Sequence, residues 1–167
     1  KLDYIGINAY FPLRKLKDNN PDQLETFQES WSAILDSALS FREKAGVPDH
    51  PFLFTELGYG SHEASTINPW QGFGFSLVEE GLKDSLFVWK NQPHRPSERN
   101  NAVRALYEVV KEKEFPLAGI LYWKITTNED QLKWDPFALH IQQPATDTLQ
   151  ELLVRFKGLE KEVKAKP

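Results

Sequence analysis

Asn8 with Tyr10, Glu56, and the pair Trp123–Lys124 are residues whose types could do chemistry together, and each stands at the end of a short apolar run. Asn8 and Tyr10 are two apart, so extended backbone points both side chains the same way. Glu56 closes Pro51-Phe-Leu-Phe-Thr, which has almost no polar residue before its end. Trp123 and Lys124 close Ala118-Gly-Ile-Leu-Tyr. A carboxylate can act as a nucleophile, and an amide and a phenol can hydrogen-bond hydroxyls. An indole can stack on the apolar face of a sugar ring. If the three runs end side by side, the set describes a carbohydrate site.

Each residue has a plainer reading as well. Glu56 could be a solvated strand-end carboxylate, Asn8 a turn residue, Tyr10 a core tyrosine with a satisfied hydroxyl, and Trp123 a packing residue. Lys124 has the opposite parity to Trp123 and is expected to face outward in a structural role. Tyr59 and Trp70 lie on a long loop, where aromatics either form distal sugar subsites or pack the loop down.

The elements that must position these residues follow from periodicity. Asp3–Ala9, Pro51–Glu56 and Ala118–Lys124 read as strands, the second as a strand covered on both faces because its apolar run is continuous. A helix starts at Asn20-Pro-Asp-Gln23 and buries Leu24, Phe27, Trp31, Ile34, Leu35, Ala38 and Phe41, until Gly46 and Pro48 end it. Ser97 is expected to cap a second helix that buries Ala102, Val103, Leu106, Tyr107 and Val110. Leu149, Leu152, Leu153, Phe156 and Leu159 give the stripe of a last helix. The long segment from Leu57 to Pro96 is expected to be helical over 75–90. Strands alternating with amphipathic helices predict an α/β fold with parallel strands, either a small open sheet or part of a (β/α)8 barrel. Residues 1–156 form the folded portion, and 157–167 a charged helix end or frayed tail. In both architectures ligands bind at the C-terminal ends of the strands, where the candidate residues stand.

The segments Asp3-Tyr-Ile-Gly-Ile-Asn-Ala-Tyr-Phe-Pro-Leu13, Pro51-Phe-Leu-Phe-Thr-Glu-Leu-Gly-Tyr59 and Gly119-Ile-Leu-Tyr-Trp-Lys124 resemble the last three barrel strands of retaining glycoside hydrolases of the large (β/α)8 clan. The likeness is greatest to glycoside hydrolase family 113, the β-mannanase family, and covers the chain from Asp3 to about Phe156. It implies a partial TIM barrel, approximately strands six to eight. It implies a catalytic nucleophile at Glu56, a tyrosine holding it at Tyr10, and an aromatic subsite floor at Trp123. Asn8 would be a weaker sugar contact, with Tyr59 and Trp70 as distal ones. The family's general acid/base, in an Asn-Glu pair ending a fourth strand, has no counterpart. Asn128-Glu129 falls in a loop after the last strand. The resemblance therefore assigns the full activity, retaining hydrolysis of β-linked hexose poly- or oligosaccharides, to a parent protein. A non-catalytic carbohydrate-binding or scaffold protein with a barrel-derived fold is the alternative.

Composition narrows the other classes. The chain has 167 residues, a net charge of −4 and no cysteine, so it offers no basic face for nucleic acid and no disulfide or thiolate site. No apolar run reaches the roughly 18 residues of a membrane-spanning helix. His50, His62, His94 and His140 have no ligand spacing and read as surface or loop residues, so neither a metal nor another cofactor is expected. No dinucleotide or phosphate loop accompanies the Gly58-Tyr-Gly60 and Gly72-Phe-Gly74 pairs. The absence of methionine and the start at Lys1 point to a fragment or a processed chain. The expected partners are a carbohydrate and either the missing N-terminal barrel half or a second copy, with no nucleic acid and no membrane.

Overall fold

In the computed structural model the residues described are 3–15, 24–70, 75–80, 84–89, 93–140 and 152–159. The elements run β1 (Ile5–Asn8), α1 (Leu24–Lys44), β2 (Phe52–Leu57), β3 (Phe75–Glu80), β4 (Asp84–Trp89), α2 (Pro96–Glu112), β5 (Leu117–Tyr122), β6 (Ile125–Thr126), α3 (Gln131–Trp134) and β7 (Leu139–His140). Residues 152–159 are helical. The expected helix start at Asn20–Gln23 lies outside the described residues, as do Leu149 and most of the tail.

The three apolar runs become one parallel sheet in the order β1-β2-β5. Strands that follow one another in sequence are neighbours in space, and the connections between them carry helices. Both helices lie on one face. Trp31 of α1 stacks on Phe54 of β2, with ring centroids 6.3 Å apart, and donates its indole N–H to the carbonyl of Ala102 in α2 at 2.9 Å. Phe52 shares the parity of Phe54 and stacks on Phe115 just beyond α2, at 4.8 Å. A doubly wound sheet would send helices to both faces. Helices on one face and sequential parallel strands are the arrangement of a partial α/β barrel.

The core lies between this sheet face and the helices. Phe27, Trp31 and Leu35 recur at four-residue spacing on α1 and are fully buried, as are Phe52, Leu57 and Leu106. The helix at 152–159 joins through Phe156, which meets Tyr107 edge-on at 5.3 Å. Gly46, at φ +70°, closes α1 in a left-handed turn that side chains disfavour.

Four expectations are corrected. β2 is fully buried on one face only: Phe52, Phe54 and Leu57 are buried, whereas Leu53 and Thr55 are half-buried. The segment expected as a helix over 75–90 is instead an antiparallel hairpin, pairing Phe75 with Trp89 and Glu80 with Asp84. Phe, Val and Trp favour the pleated surface, and Gly81 interrupts any helical reading. Phe41 continues the α1 stripe but is 61% exposed. It lines a groove with Ile5, Ile7, Ile34 and Ala38 on the outer side of β1, where no further described strand covers it. α2 begins at Pro96, the favoured first-turn residue, so Arg95 rather than Ser97 stands at its N-cap.

Candidate active site

The site is built where the strands end. The ladder between β1 and β2 runs evenly from Ile5–Phe52 to Ile7–Phe54, then skips Thr55, so that Asn8 faces Glu56. This bulge lets two successive residues of β2 serve two residues of the first chain segment. Thr55 donates its hydroxyl to Asn8 Oδ1 at 2.7 Å, which leaves the amide NH2 end as donor. Tyr10 donates its hydroxyl to Glu56 Oε2 at 2.9 Å. The carbonyl of Glu56 meanwhile accepts the N–H of Ala9 at 2.6 Å, fixing the backbone from which both side chains project.

Burial raises the Tyr10 phenol far above its ordinary range, and the bond to Glu56 and the charge of that carboxylate raise it further. Tyr10 therefore remains a donor to Glu56 throughout the neutral range. The folded phenol holds its proton more tightly than the unfolded one. Its contribution to stability is thus full below about pH 10, declines above it, and is lost as pH passes the raised value. In an ultraviolet titration, Tyr10→Phe should leave the phenolate absorbance at about pH 11 unchanged, because Tyr10 is not ionised there. A loss equal to one tyrosine would contradict this account.

Trp123 reaches the same place from β5. Its backbone N–H donates to the carbonyl of Leu57 at 2.8 Å, the residue is 49% exposed, and its peptide bond to Lys124 is cis. Gly58 marks the convergence. A side-chain carbon there would collide with the Trp123 carbonyl, and would also lie 3.3 Å from the Tyr10 ring and 3.4 Å from that of Phe137. Carboxylate, phenol and indole thus stand on the ends of three adjacent strands.

The other sequence candidates fall differently. Tyr59 is corrected from a sugar contact to a core residue. It is fully buried, packs edge-on against Trp31 at 6.5 Å and donates its hydroxyl to the Phe11 carbonyl at 2.9 Å, and burial pushes its phenol up. Trp70 is 57% exposed. His62 lies in the loop after β2, as expected, but is buried rather than on the surface, its ring lying against Gly60, where a side chain would collide with it. Lys124 is half-buried and pairs with Asp135 at 2.5 Å, a structural contact. Asn128 turns the chain into α3 by accepting the N–H of Asp130 with its side chain, at 3.0 Å, and the neighbouring Glu129 is exposed.

Sequence reasoning missed a buried cluster in the loops beyond the strand ends. Glu98, in the first turn of α2, is fully buried and paired with Arg14 at 3.0 Å. It also accepts the N–H groups of Ala64 and Thr66 and the Thr66 hydroxyl. The cluster ties the loop that follows Tyr10 to the loop that follows Glu56. An arginine and a glutamate 84 positions apart carry no local signal of such a pairing.

No protein family's sequence pattern matches the chain, and no curated protein matches it. Among solved structures, a glycoside hydrolase family 5 mannosidase from Rhizomucor miehei is similar at a TM-score of 0.41 and 12% identity, with 86% of this chain covered. The match takes in 35% of that enzyme, so this chain spans little more than a third of its length. The resemblance to family 113 rests on the three strand-end segments alone.

Proposed function

We propose that these residues form part of the active site of a retaining glycoside hydrolase acting on β-linked hexose sugars, mannan by preference. The hydrogen bond from Tyr10 to Glu56, at the C-terminal ends of adjacent parallel strands, carries the reading. Glu56 attacks the anomeric carbon and the glycosidic C–O bond breaks, leaving a glycosyl ester on Oε1 or Oε2. A carboxylic acid protonates the departing oxygen and then, as base, activates the water that cleaves the ester. Tyr10 orients the Glu56 carboxylate and Trp123 floors the sugar subsite. The second carboxyl, about 5–5.5 Å from Glu56 in such a mechanism, comes from a partner that covers the half-buried sheet face: the remaining barrel strands or a second copy.

An activated substrate separates the two halves of this mechanism. Dinitrophenolate leaves without a proton, so a 2-fluoro mannoside carrying it needs the nucleophile but no acid, and the fluorine lets the ester accumulate. Mass spectrometry of the treated chain should find one glycosyl group, on the peptide containing Glu56, and none in Glu56→Gln. A label on another residue, or none at all, sinks the assignment. A second reading, a non-catalytic carbohydrate-binding surface, is favoured by the exposure of Leu121, Trp123 and Ile125, from the end of β5 into β6. It predicts Trp123-dependent binding of oligosaccharide with no labelling.

A further inference from the structure

Trp123 is half-exposed, and a stacking floor works only if its plane is held. Its backbone contact on one side is the bond to Leu57. On the other side Lys124 is gripped by the turn at 135–139: its N–H donates to the Phe137 carbonyl at 3.4 Å, and its carbonyl accepts the Leu139 N–H at 3.0 Å. Within that turn one side chain makes two bonds. Asp135 Oδ2 pairs with Lys124 Nζ at 2.5 Å, and Oδ1 accepts the Phe137 N–H at 2.9 Å. The turn also reaches the β2 side. The Pro136 carbonyl accepts the Ser61 N–H at 2.8 Å, and the Phe137 ring lies at Gly58, where the Trp123 carbonyl closes in.

We propose that Asp135, acting through Lys124, is the positioning residue that sets the Trp123 platform against Glu56 and Tyr10. This rests on the reading of Trp123 as a sugar floor. Asp135 directs one carboxylate oxygen to an ammonium and the other to a backbone amide, so it is committed to holding the turn. With the pair intact, the β5 end and the β2 loop move as one body. With it broken, Lys124 keeps only its two backbone bonds to the turn, and the indole gains freedom to rotate away.

The test uses the full chain with Asp135→Asn, which keeps the shape and an oxygen for Phe137 but loses the charge. Lys124→Met breaks the same pair from the other side, and Asp135→Glu and Lys124→Arg preserve it. The Trp123 fluorescence component is isolated as the difference from Trp123→Ala, and its quenching by acrylamide is measured alongside thermal melting and affinity for β-1,4-mannohexaose. Asp135→Asn and Lys124→Met should raise the quenching of that component and weaken mannohexaose about tenfold, one step on the affinity scale. The charge-preserving variants should recover both. Parent-like quenching in both pair-breaking variants overturns the proposal, and so does raised quenching in a protein whose Trp123-dependent sugar affinity is unchanged. If the parent binds no mannohexaose, or Trp123→Ala binds it equally, the sugar-floor reading has failed, and the quenching alone decides whether Asp135 positions the indole.

Discussion

Replacing Glu98 by alanine should destabilise the chain by about 3–5 kcal/mol, the cost of leaving one member of a buried ion pair without the other. Domains of this kind have total stabilities of roughly 5–15 kcal/mol, so the loss is a large share of the whole. The magnitude follows from what remains behind. The Arg14 guanidinium, with its side chain only 5% exposed, would keep its charge in a site without the carboxylate that meets it at 3.0 Å. The N–H groups of Ala64 and Thr66 would lose their acceptor at the same time. Glu98→Gln should cost less, because its amide oxygen can still accept from Thr66, although the amide NH2 that replaces Oε2 leaves the Ala64 N–H without an acceptor. Arg14→Met combined with Glu98→Leu should recover only part of the loss, since it removes the stranded charge but leaves both backbone donors unsatisfied, at about 1–3 kcal/mol each. Urea unfolding with an unchanged slope measures the difference as a shift in midpoint. A shift under about 1 kcal/mol for Glu98→Ala would mean that the pair contributes no more than a surface one.

The physical reasons that some of this was legible in sequence and some was not lie in the range of the interactions. The sheet was legible because continuous apolar runs ending in Glu56 and Trp123 mark strands by local composition. Parallel pairing then follows from the helices between them. The Tyr10–Glu56 bond was anticipated only through the family resemblance, since the chain separates the two by 46 positions. The hairpin from Phe75 to Trp89 was misread because short apolar segments fit a helical and a strand period about equally. Tyr59 was misassigned for another reason. An aromatic in a loop sequence carries no mark of whether it faces solvent or folds under, and here the ring of Trp31 provides the surface it folds against. The half-buried second face of β2 was invisible too: an apolar strand records what could cover it, not what does.

Glu56→Gln should abolish turnover while sparing the fold and sugar affinity. The amide is nearly isosteric, and its oxygen can still accept the Tyr10 hydroxyl now held at 2.9 Å. It cannot form the glycosyl ester, because a neutral amide is far too weak a nucleophile at an anomeric carbon. On the proposed function, kcat/KM for a β-mannoside should fall by at least about 10⁴-fold, the scale on which loss of a catalytic nucleophile is felt. Mannohexaose affinity should stay within a few fold, since Trp123 and Asn8 are untouched. Tyr10 offers a second readout that needs no turnover. Burial is the largest cause of its raised ionisation, followed by the bond to Glu56 and then that carboxylate's charge. Removing the charge should bring the phenol partly down and leave it still above the ordinary tyrosine range. Glu56→Ala goes further by opening space beneath the anomeric carbon. Azide could enter there, form the C–N bond as dinitrophenolate leaves, and give a glycosyl azide of inverted configuration from an activated β-mannoside. Such rescue, absent in the parent, separates a missing nucleophile from a damaged fold. If Glu56→Gln instead hydrolyses at the parental rate, Glu56 is an anchor for Tyr10, and the nucleophile belongs to another residue.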